Sequence, residues 1–448
     1  MDTHGWDIVC ACSQDKLNAL LAQRLKTKPP TLDYSDGSGT GIKAKFDPWR
    51  ITSFGSDNRL TMELPIQSGT ITSTSKFAAS PSVPLDGTVV EIVIDLEFIE
   101  DATSTNTSLS FSFHTEATSA NDKTSGAIYV VNADVTGTLA KADPSGSAAA
   151  VLRQHVPQCL IANKDELAYA LSTLSLAPTG DASWLKPKDM QYAFVQGAAT
   201  SSGQQGPGYL AVMTMVRDLD PATRTRDIDP TLCDGAHDLC IAFNKDIFLE
   251  HVVMPQLPSS FPGAQASQFV MSGDSIMAVG FLTCQPVYNA GTGYFPVLAS
   301  LFLWVEADEL KARAIGAFDI TGLSNSSVTF TVTQSMNCTY SAASNGLTMT
   351  QAGAPVSDYD KHIPTWIYVI GALALPFLGL IVGLVVVAVV DIVVAAVSSA
   401  VSRKVSTAGS NVAIGDWTTQ AISWPGSGAY TIADGGLSDA LYLRGSLA

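Results

Sequence analysis

This sequence of 448 residues is 46% hydrophobic and 15% charged. The composition excludes an intrinsically disordered chain, and at roughly 100–200 residues per domain the length predicts two or three domains. The formal net charge is −16, from 25 Lys and Arg against 41 Asp and Glu. Because such a chain repels phosphate backbones and has no basic stripe, we expect no nucleic-acid partner.

The N-terminal residues and the cysteines both bear on the cellular compartment. Residues 1–6 contain neither a basic region nor an apolar run, so they do not resemble a secretion signal. The cysteines are widely spaced and form no CxxC motif, which predicts reduced and mostly buried thiols. We therefore expect a cytoplasmic protein, or one released without a signal peptide. Cysteines and histidines show no zinc-ligand spacing, so neither a metal nor another cofactor is expected.

Two segments of the chain, residues 6–17 and 237–248, resemble each other. In each copy a short apolar strand leads into a helix N-cap residue, Ser13 or Asn244. An aspartate in the first helical turn follows, where it favours the positive end of the helix dipole. Three identities fall at one constant offset and align Asp7, Ala11 and Asp15 with Asp238, Ala242 and Asp246.

The helix that follows each copy is predicted to be amphipathic. In the first copy, the residues at helical spacing are Leu17, Leu20, Leu21 and Leu25. In the second copy, Pro255 and Pro258 are expected to end the helix. Chance similarity is the alternative to duplication. Because the second copy begins near the midpoint, the repeat predicts two modules, 1–225 and 226–448, joined near residues 218–234.

Most of each module is predicted to be antiparallel sheet. Apolar and polar residues alternate in several runs, which indicates strands with one buried and one exposed face. The clearest runs are residues 60–66, 90–98, 108–113 and 328–333. Further strands are expected near residues 208–216, 274–282, 298–306, 429–432 and 440–443.

A helix is predicted late in each module. The first covers residues 147–161, and the second is the apolar segment 363–402, in which residues 363–390 carry no charged side chain. This length would suffice to span a membrane, and Gly379 and Gly383 form a GxxxG motif. We prefer a helix enclosed by a curved sheet. Asp391 interrupts the apolar pattern, and the strand-like tail could not rejoin the sheet from across a membrane.

The opening Gly5-Trp6-Asp7-Ile8-Val9, with the Ser-capped helix after it, resembles the start of the clostridial 47-kDa protein family, which is encoded beside botulinum-type toxin genes. Residues 248–255 and the late Gly/Ala/Val-rich helix with its strand-rich tail are also similar to that family. Cys10 and Cys12 depart from its pattern. The resemblance implies an α+β fold of the tubular lipid-binding (TULIP) kind, in which a long helix is wrapped by a curved antiparallel sheet and the unit is repeated. It also implies that a lipid or acyl chain is held between helix and sheet.

Our first hypothesis is therefore a non-catalytic protein that binds a lipid or another apolar molecule in such a groove, as the accessory protein of a toxin or biosynthetic gene cluster. One alternative is a ligand-free structural component of a complex, with a protein partner from the same cluster. Another is a membrane-anchored protein that inserts residues 363–390. The residues predicted to line the groove, any of which could also be plain core, are Leu17, Leu21, Phe377, Leu378, Val382, Val385 and Val389.

No catalytic site is predicted from the motifs of this sequence. The run Gly273-Asp274-Ser275-Ile276 resembles a hydrolase nucleophile block, but no histidine follows it in a suitable context. The run Ser13-Gln14-Asp15-Lys16 matches SxxK, which the N-cap role of Ser13 explains more simply. We therefore expect a binding protein, and the alternative is an enzyme whose active site is assembled from residues distant in the sequence.

Overall fold

The computed structural model describes residues 1–55, 59–73, 82–100, 105–119, 122, 124–167, 169–176, 180–196, 206–219, 224–289, 292–321, 325–341, 346–362, 385, 387–388, 422–427 and 430–448. The chain divides into two compact units. The unit that we call the N-terminal unit comprises Val9–Cys240, Trp417–Thr431 and Ser446–Ala448. The C-terminal unit comprises Met1–Ile8, Ile241–Asp416 and Ile432–Gly445.

Strands dominate the described part of the chain. Numbered in chain order, they are β1 (Ile8–Ser13), β2 (Thr31–Ser35), β3 (Thr40–Phe46), β4 (Arg50–Phe54), β5 (Arg59–Ser73), β6 (Ser82–Pro84), β7 (Val89–Glu100), β8 (Asn106–Ser112), β9 (Thr115–Glu116), β10 (Ala127–Asn132), β11 (Ala170–Ser175), β12 (Asp189–Gln196), β13 (Gly208–Met215), β14 (Leu239–Asn244), β15 (Phe269–Ser272), β16 (Ser275–Ala278), β17 (Leu282–Thr283), β18 (Val287–Asn289), β19 (Thr292–Tyr294), β20 (Val297–Glu306), β21 (Glu309–Asp319), β22 (Ser327–Ser341), β23 (Gly346–Gln351), β24 (Val356–His362), β25 (Ile422–Ser423), β26 (Tyr430–Leu437) and β27 (Ala440–Leu447). In β7 the residues alternate between buried and partly exposed from Val89 to Leu96. This period of two is the reason that such sequences form strands with one face in the core.

The helices are fewer and mostly short. They are α1 (Gln14–Thr27), α2 (Thr138–Ala142), α3 (Ser147–Ala162), α4 (Lys164–Leu167) and α5 (Lys245–Ile247). α1 begins where the Ser13 side chain accepts a hydrogen bond from the Lys16 N–H at 3.3 Å. The four predicted leucines of α1 are buried, as expected. α3 confirms the helix predicted at residues 147–161.

The helical segment of the second copy differs from the prediction. Asn244 caps α5 and accepts a hydrogen bond from the Asp246 N–H at 2.9 Å. The chain then continues as a π-helix over Phe248–Val253 and as a 3-10 helix over Met254–Ser260. The expectation that Pro255 and Pro258 end the helix was wrong. Pro255 lies in the first turn of the 3-10 helix, where a missing N–H costs no hydrogen bond.

The N-terminal unit contains an eleven-stranded sheet with the main order β2-β3-β5-β7-β8-β11-β25. β4 and β6 pair with β5, and β10 pairs with β7. The pairings described in this sheet are antiparallel except that of β9 with β10. Trp49 lies in the core of this unit, and its ring centroid is 5.8, 6.3 and 6.0 Å from those of Phe46, Phe111 and Tyr169. α1 packs on β4 and β13, and α3 packs on β2, β9 and β10.

The C-terminal unit is built on an antiparallel path in the order β15-β16-β20-β21-β22-β26-β27. β23 and β24 pair with different ends of β22, through Cys338 opposite Met349 and Thr329 opposite Asp360. β26 joins the sheet through Thr339 opposite Gly436. The C-terminal tail therefore forms strands of the sheet, as predicted from residues 429–432 and 440–443.

The described residues are mainly antiparallel sheet with few helices, which confirms the predicted α+β class at that level. The segment 363–402 lies almost entirely outside the described residues. Of that segment, Val385, Val387 and Ala388 are described as helical, and Val385 is buried. Among the residues that the structure describes, no helix has the length and apolarity needed to cross a membrane. Whether a curved sheet encloses this segment stays a prediction.

Candidate functional site

The C-terminal tail closes a cavity in the N-terminal unit. β25 pairs with β11, where Ile422 is opposite Leu174 and Ser423 is opposite Thr173. The chain then turns through Trp424-Pro425-Gly426-Ser427, and the Ser427 N–H and hydroxyl donate to the Trp424 carbonyl at 2.9 and 2.6 Å. The turn requires φ of +89° at Gly426, a conformation that glycine adopts without strain.

The cavity beneath this turn has a volume of about 350 Å³. This places it at the small end of the ~300–1,000 Å³ range typical of small-molecule sites. Its walls are mostly apolar and come from four separate parts of the sequence. The lining residues are Cys10, Leu239, Ile422, Ser423, Trp424, Pro425, Gly426, Ser427, Tyr430 and Leu447.

Cys10 and Trp424 form one wall of the cavity. Burial raises the pKa of the Cys10 thiol to about 12, and the neighbouring Trp424 side chain only partly opposes that shift. A thiol with such a pKa stays protonated near neutral pH and is a poor nucleophile. The wall can therefore hold an apolar group, but it does not supply reactive sulfur.

α1 borders the cavity on another side. Lys16 Nζ in its first turn donates a hydrogen bond to the Leu447 carbonyl at 2.6 Å. A methyl group placed on Gly426 would lie 3.9 Å from Leu20 Cδ2, so the turn sits in van der Waals range of the helix. The helix that carries the predicted residues Leu17 and Leu21 thus contributes Lys16 and Leu20 to the surroundings of this cavity.

The structure describes three of the seven residues predicted to line a groove. Leu17 and Leu21 are buried on α1, and Val385 is buried in its short described helical stretch. The other four, Phe377, Leu378, Val382 and Val389, lie outside the described residues. The groove-lining role of all seven stays a prediction.

Sequence analysis did not single out Trp424, Leu239 or Leu447. One signal was available, since Trp424-Pro425-Gly426 places a large aromatic residue directly before a turn in a tail rich in glycine and serine. The convergence of the remaining lining residues depends on tertiary structure. No local pattern in the sequence brings Cys10 to Leu447.

A second groove of about 410 Å³ lies in the same unit beside β7 and β8. Its floor includes Phe111 and Phe113, but its rim carries charged side chains, namely Glu97, Glu100, Lys164 and Asp165. His114 Nε2 lies 2.9 and 2.8 Å from the two carboxylate oxygens of Glu97. This charged rim suits an apolar ligand less well than the cavity beneath Trp424.

In the described part of the chain, no three His, Cys, Asp or Glu side chains lie close enough together to hold a metal ion. Of the run at 273–276, Gly273 and Asp274 form the two-residue turn between β15 and β16, and Ser275 and Ile276 begin β16. Gly273 has φ of +62° there. Asp274 there pairs with Lys245 at 3.0 Å. A hairpin turn therefore accounts for the residues that resemble a nucleophile block.

Comparison with known proteins gives consistent matches. A curated relative, Protein P47 of Clostridium botulinum (strain Kyoto / Type A2), is 24% identical over 372 residues, which cover 81% of this chain and 84% of the relative. The structure of P47 from Clostridium botulinum A2 aligns with a TM-score of 0.77 at 21% identity and covers 100% of this chain and 98% of that one. P47 of Clostridium botulinum E1 aligns with a TM-score of 0.74 at 18% identity and covers 100% of both chains.

The family model that matches this sequence describes OrfX-like proteins, with the description protein OrfX2/OrfX3/P47, and it matches residues 3–419. That span includes both copies of the repeat. The resemblance to the clostridial 47-kDa proteins is thereby confirmed, and the chain belongs to the OrfX-like family of proteins OrfX2, OrfX3 and P47.

Proposed function

We propose that this chain is a non-catalytic binding protein for a lipid or another apolar small molecule, and that the cavity beneath Trp424 holds part of that ligand. The observation that supports the proposal is the apolar lining of this cavity, whose thiol stays protonated. Burial of an acyl chain contributes about 0.8 kcal/mol per CH₂ group. Even a few methylene groups in a cavity of about 350 Å³ would therefore give useful affinity.

A separate part of the proposal concerns the segment 363–402, which belongs to the C-terminal unit and not to the unit that holds the cavity. We propose that this segment forms a long helix wrapped by a curved antiparallel sheet, as in tubular lipid-binding proteins, with Phe377, Leu378, Val382, Val385 and Val389 toward a groove between helix and sheet. Its support is the charge-free length of the segment and the buried side chain of Val385. The chain would act as an accessory protein of a toxin or biosynthetic gene cluster, in the cytoplasm or after release without a signal peptide.

The test has two parts: extraction of bound apolar molecules from the purified protein, and a binding assay that compares the parent chain with a single-residue variant. Organic extracts of the purified full chain are analysed by mass spectrometry, and the chain is titrated with cis-parinaric acid, a fluorescent fatty acid. Leu447→Trp places a larger side chain in the cavity, so we expect its affinity for cis-parinaric acid to fall by roughly tenfold or more. Leu219→Trp adds the same side chain at an exposed position of the same unit and should bind as the parent does.

Two outcomes would contradict the proposal. One is the absence of both a co-purifying apolar molecule and saturable binding of the fatty acid. The other is equal affinity in Leu447→Trp and in the parent chain. Either result would favour a ligand-free structural component of a protein complex.

A further inference from the structure

One long stretch of the C-terminal unit carries no charge. Residues 275–305 contain no Asp, Glu, Lys, Arg or His, in a chain that is 15% charged and has a formal net charge of −16. The stretch includes β16, β17, β18, β19 and β20. A surface formed here is electrically neutral, although the protein as a whole is strongly acidic.

Three aromatic side chains of this stretch are exposed to solvent. Phe281 is 72% exposed, Tyr288 is 70% exposed and Phe295 is 59% exposed. Large aromatic residues are normally buried, and clustered exposed apolar side chains indicate an interaction surface. We call these three residues the aromatic patch.

Strand register places Phe281 and Phe295 on one face. Thr283 lies opposite Val297, and the Cys284 N–H donates to the Pro296 carbonyl at 3.0 Å. Two residues further along this antiparallel pairing from Thr283 and Val297, Gln285 lies opposite Phe295. Burial alternates along 281–285, so Phe281, Thr283 and Gln285 point outward together. Because directly opposed residues share a face, Phe295 points outward with them.

The hairpin of β18 and β19 adds Tyr288 to the same face. Tyr288 lies opposite Gly293. A Cβ atom on Gly293 would be 3.1 Å from Tyr288 Cε1 and 3.4 Å from Phe295 Cζ, so both rings approach the position that a side chain of residue 293 would take. The Thr321 hydroxyl donates to the Gly293 carbonyl at 2.7 Å and holds the hairpin in place.

The opposite face of these strands is packed in the core. Leu282, Cys284 and Tyr294 are buried, and the Tyr294 ring lies 6.1 Å from that of Phe318 in an edge-to-face arrangement. The backbone that carries the aromatic patch is therefore fixed by its buried side. The three exposed rings form a preorganised surface and do not depend on folding of a loose segment.

We infer that the aromatic patch docks on the surface of a lipid bilayer with zwitterionic headgroups. Aromatic rings favour the interfacial region of membranes, where their apolar bodies are buried near the headgroups. Anionic lipid would not attract the neutral patch, and it would be repelled by the acidic remainder of the chain. A zwitterionic surface avoids this repulsion. Rings of this kind bury about 150–250 Å² each, so three give less than the ~800 Å² per partner of a standard protein interface.

This inference is independent of the proposed cavity, because the aromatic patch belongs to the C-terminal unit and the cavity to the N-terminal unit.

Flotation of the full chain with phosphatidylcholine vesicles tests the docking of the aromatic patch. We expect the parent chain to float with the vesicles, and to do so equally at roughly physiological salt and at about fivefold higher salt. The triple variant Phe281→Ser, Tyr288→Ser and Phe295→Ser should lose roughly tenfold or more of its vesicle partitioning.

Val131→Ser with Val135→Ser is the matched control, because it removes exposed apolar side chains elsewhere and should leave flotation unchanged. Melting temperatures of all variants are compared, so that loss of folding is not mistaken for loss of binding. Failure of the parent chain to float would overturn the inference. So would equal flotation of the triple variant, or flotation that needs anionic lipid and disappears at high salt.

A labelled variant gives a second readout that does not depend on removing the rings. Thr283→Cys places a thiol on the outward face beside Phe281, while the native cysteines are buried and so protected from labelling. An environment-sensitive dye on this thiol should shift its emission to the blue when phosphatidylcholine vesicles are added. The same dye on Asp308→Cys, at the turn beyond the far end of β20, should not shift. Equal behaviour of the two labels would contradict docking through the aromatic patch.

Discussion

The backbone N–H of Ser13 donates a hydrogen bond to the carbonyl of Asp238 at 2.8 Å. At the aligned positions of the sequence repeat, the Asn244 N–H donates to the Asp7 carbonyl at 2.9 Å. Each bond lies within one of the two compact units, and each joins the N-cap residue of one copy to the first aligned aspartate of the other. Both N-cap residues are therefore held by the same kind of backbone contact, and duplication stays the prediction made from the sequence.

The two cap residues should therefore respond to substitution in the same way. We expect Ser13→Ala to lower the free energy of unfolding by about 1 kcal/mol, because the Lys16 N–H loses its acceptor. Asn244→Ala should cost a similar amount through the Asp246 N–H. Ser13→Gly is the control, with an expected cost of only a few tenths of a kcal/mol. Urea unfolding measures all three, and an equal cost for Ala and Gly at position 13 would contradict a capping role.

Local patterns predicted α1 and the long strands correctly. Four leucines at helical spacing define the buried face of α1, and strict alternation defines β7. Both signals lie within a dozen or so residues of sequence, so no tertiary information is needed to interpret them. The resemblance to a known family extended these local results to the whole chain.

The cavity and the aromatic patch could not be predicted in the same way. The cavity joins Cys10, Leu239, Trp424 and Leu447, which only the folded sheet brings together. In the aromatic patch the strands are two or three residues long, too short for alternation to show which side chains face outward. From residue type alone, an isolated phenylalanine such as Phe281 would be assigned to the core, whereas the structure shows it exposed.

Arg59 and Asp95 form a buried ion pair in the N-terminal unit, with Nε 3.0 Å from Oδ1. The guanidinium also donates to the carbonyls of Asp122 and Ala127 at 2.9 and 2.7 Å. We expect Arg59→Leu to lower the free energy of unfolding by about 3–5 kcal/mol at neutral pH, because it leaves a buried carboxylate without its partner. The exposed pair of Lys43 with Asp33, 3.0 Å apart, is the control, and Lys43→Leu should cost about 1 kcal/mol or less.

The cost of Arg59→Leu should shrink as the pH falls. Burial raises the pKa of Asp95 above its ordinary value of 3.8, while Arg59 opposes that shift. Without Arg59 the pKa rises further. A carboxyl whose pKa is higher in the folded than in the unfolded state stabilises the fold at pH values below its pKa in the unfolded state. This contribution is lost as the pH rises through its pKa in the folded state. Unfolding experiments at pH values from neutral to about 4 measure this difference, and a cost independent of pH would show that the lost backbone hydrogen bonds dominate.

The seven cysteines should be unreactive in the native protein. All are buried and none forms a disulfide, and burial raises the pKa of Cys10, Cys159, Cys284 and Cys338 to about 12. Because the thiolate is the reactive form, we expect almost no reaction with a thiol reagent near neutral pH and reaction of all seven after denaturation in urea. Thr283→Cys provides the positive control, since it should add one fast-reacting thiol. A fast-reacting native thiol in the parent chain would contradict the buried placement.

Lys16 connects the first turn of α1 to the last strand, because its Nζ donates to the Leu447 carbonyl at 2.6 Å. Lys16→Met keeps the apolar stem and removes the charged donor, so we expect a loss of about 1–2 kcal/mol in the free energy of unfolding. The same substitution should weaken binding of cis-parinaric acid, because the Leu447 side chain lines the cavity and loses the contact that holds its strand. Lys28→Met, at the exposed C-cap of α1, is the control and should change neither quantity. A loss of stability without any loss of affinity would mean that this hydrogen bond supports the fold and does not shape the cavity.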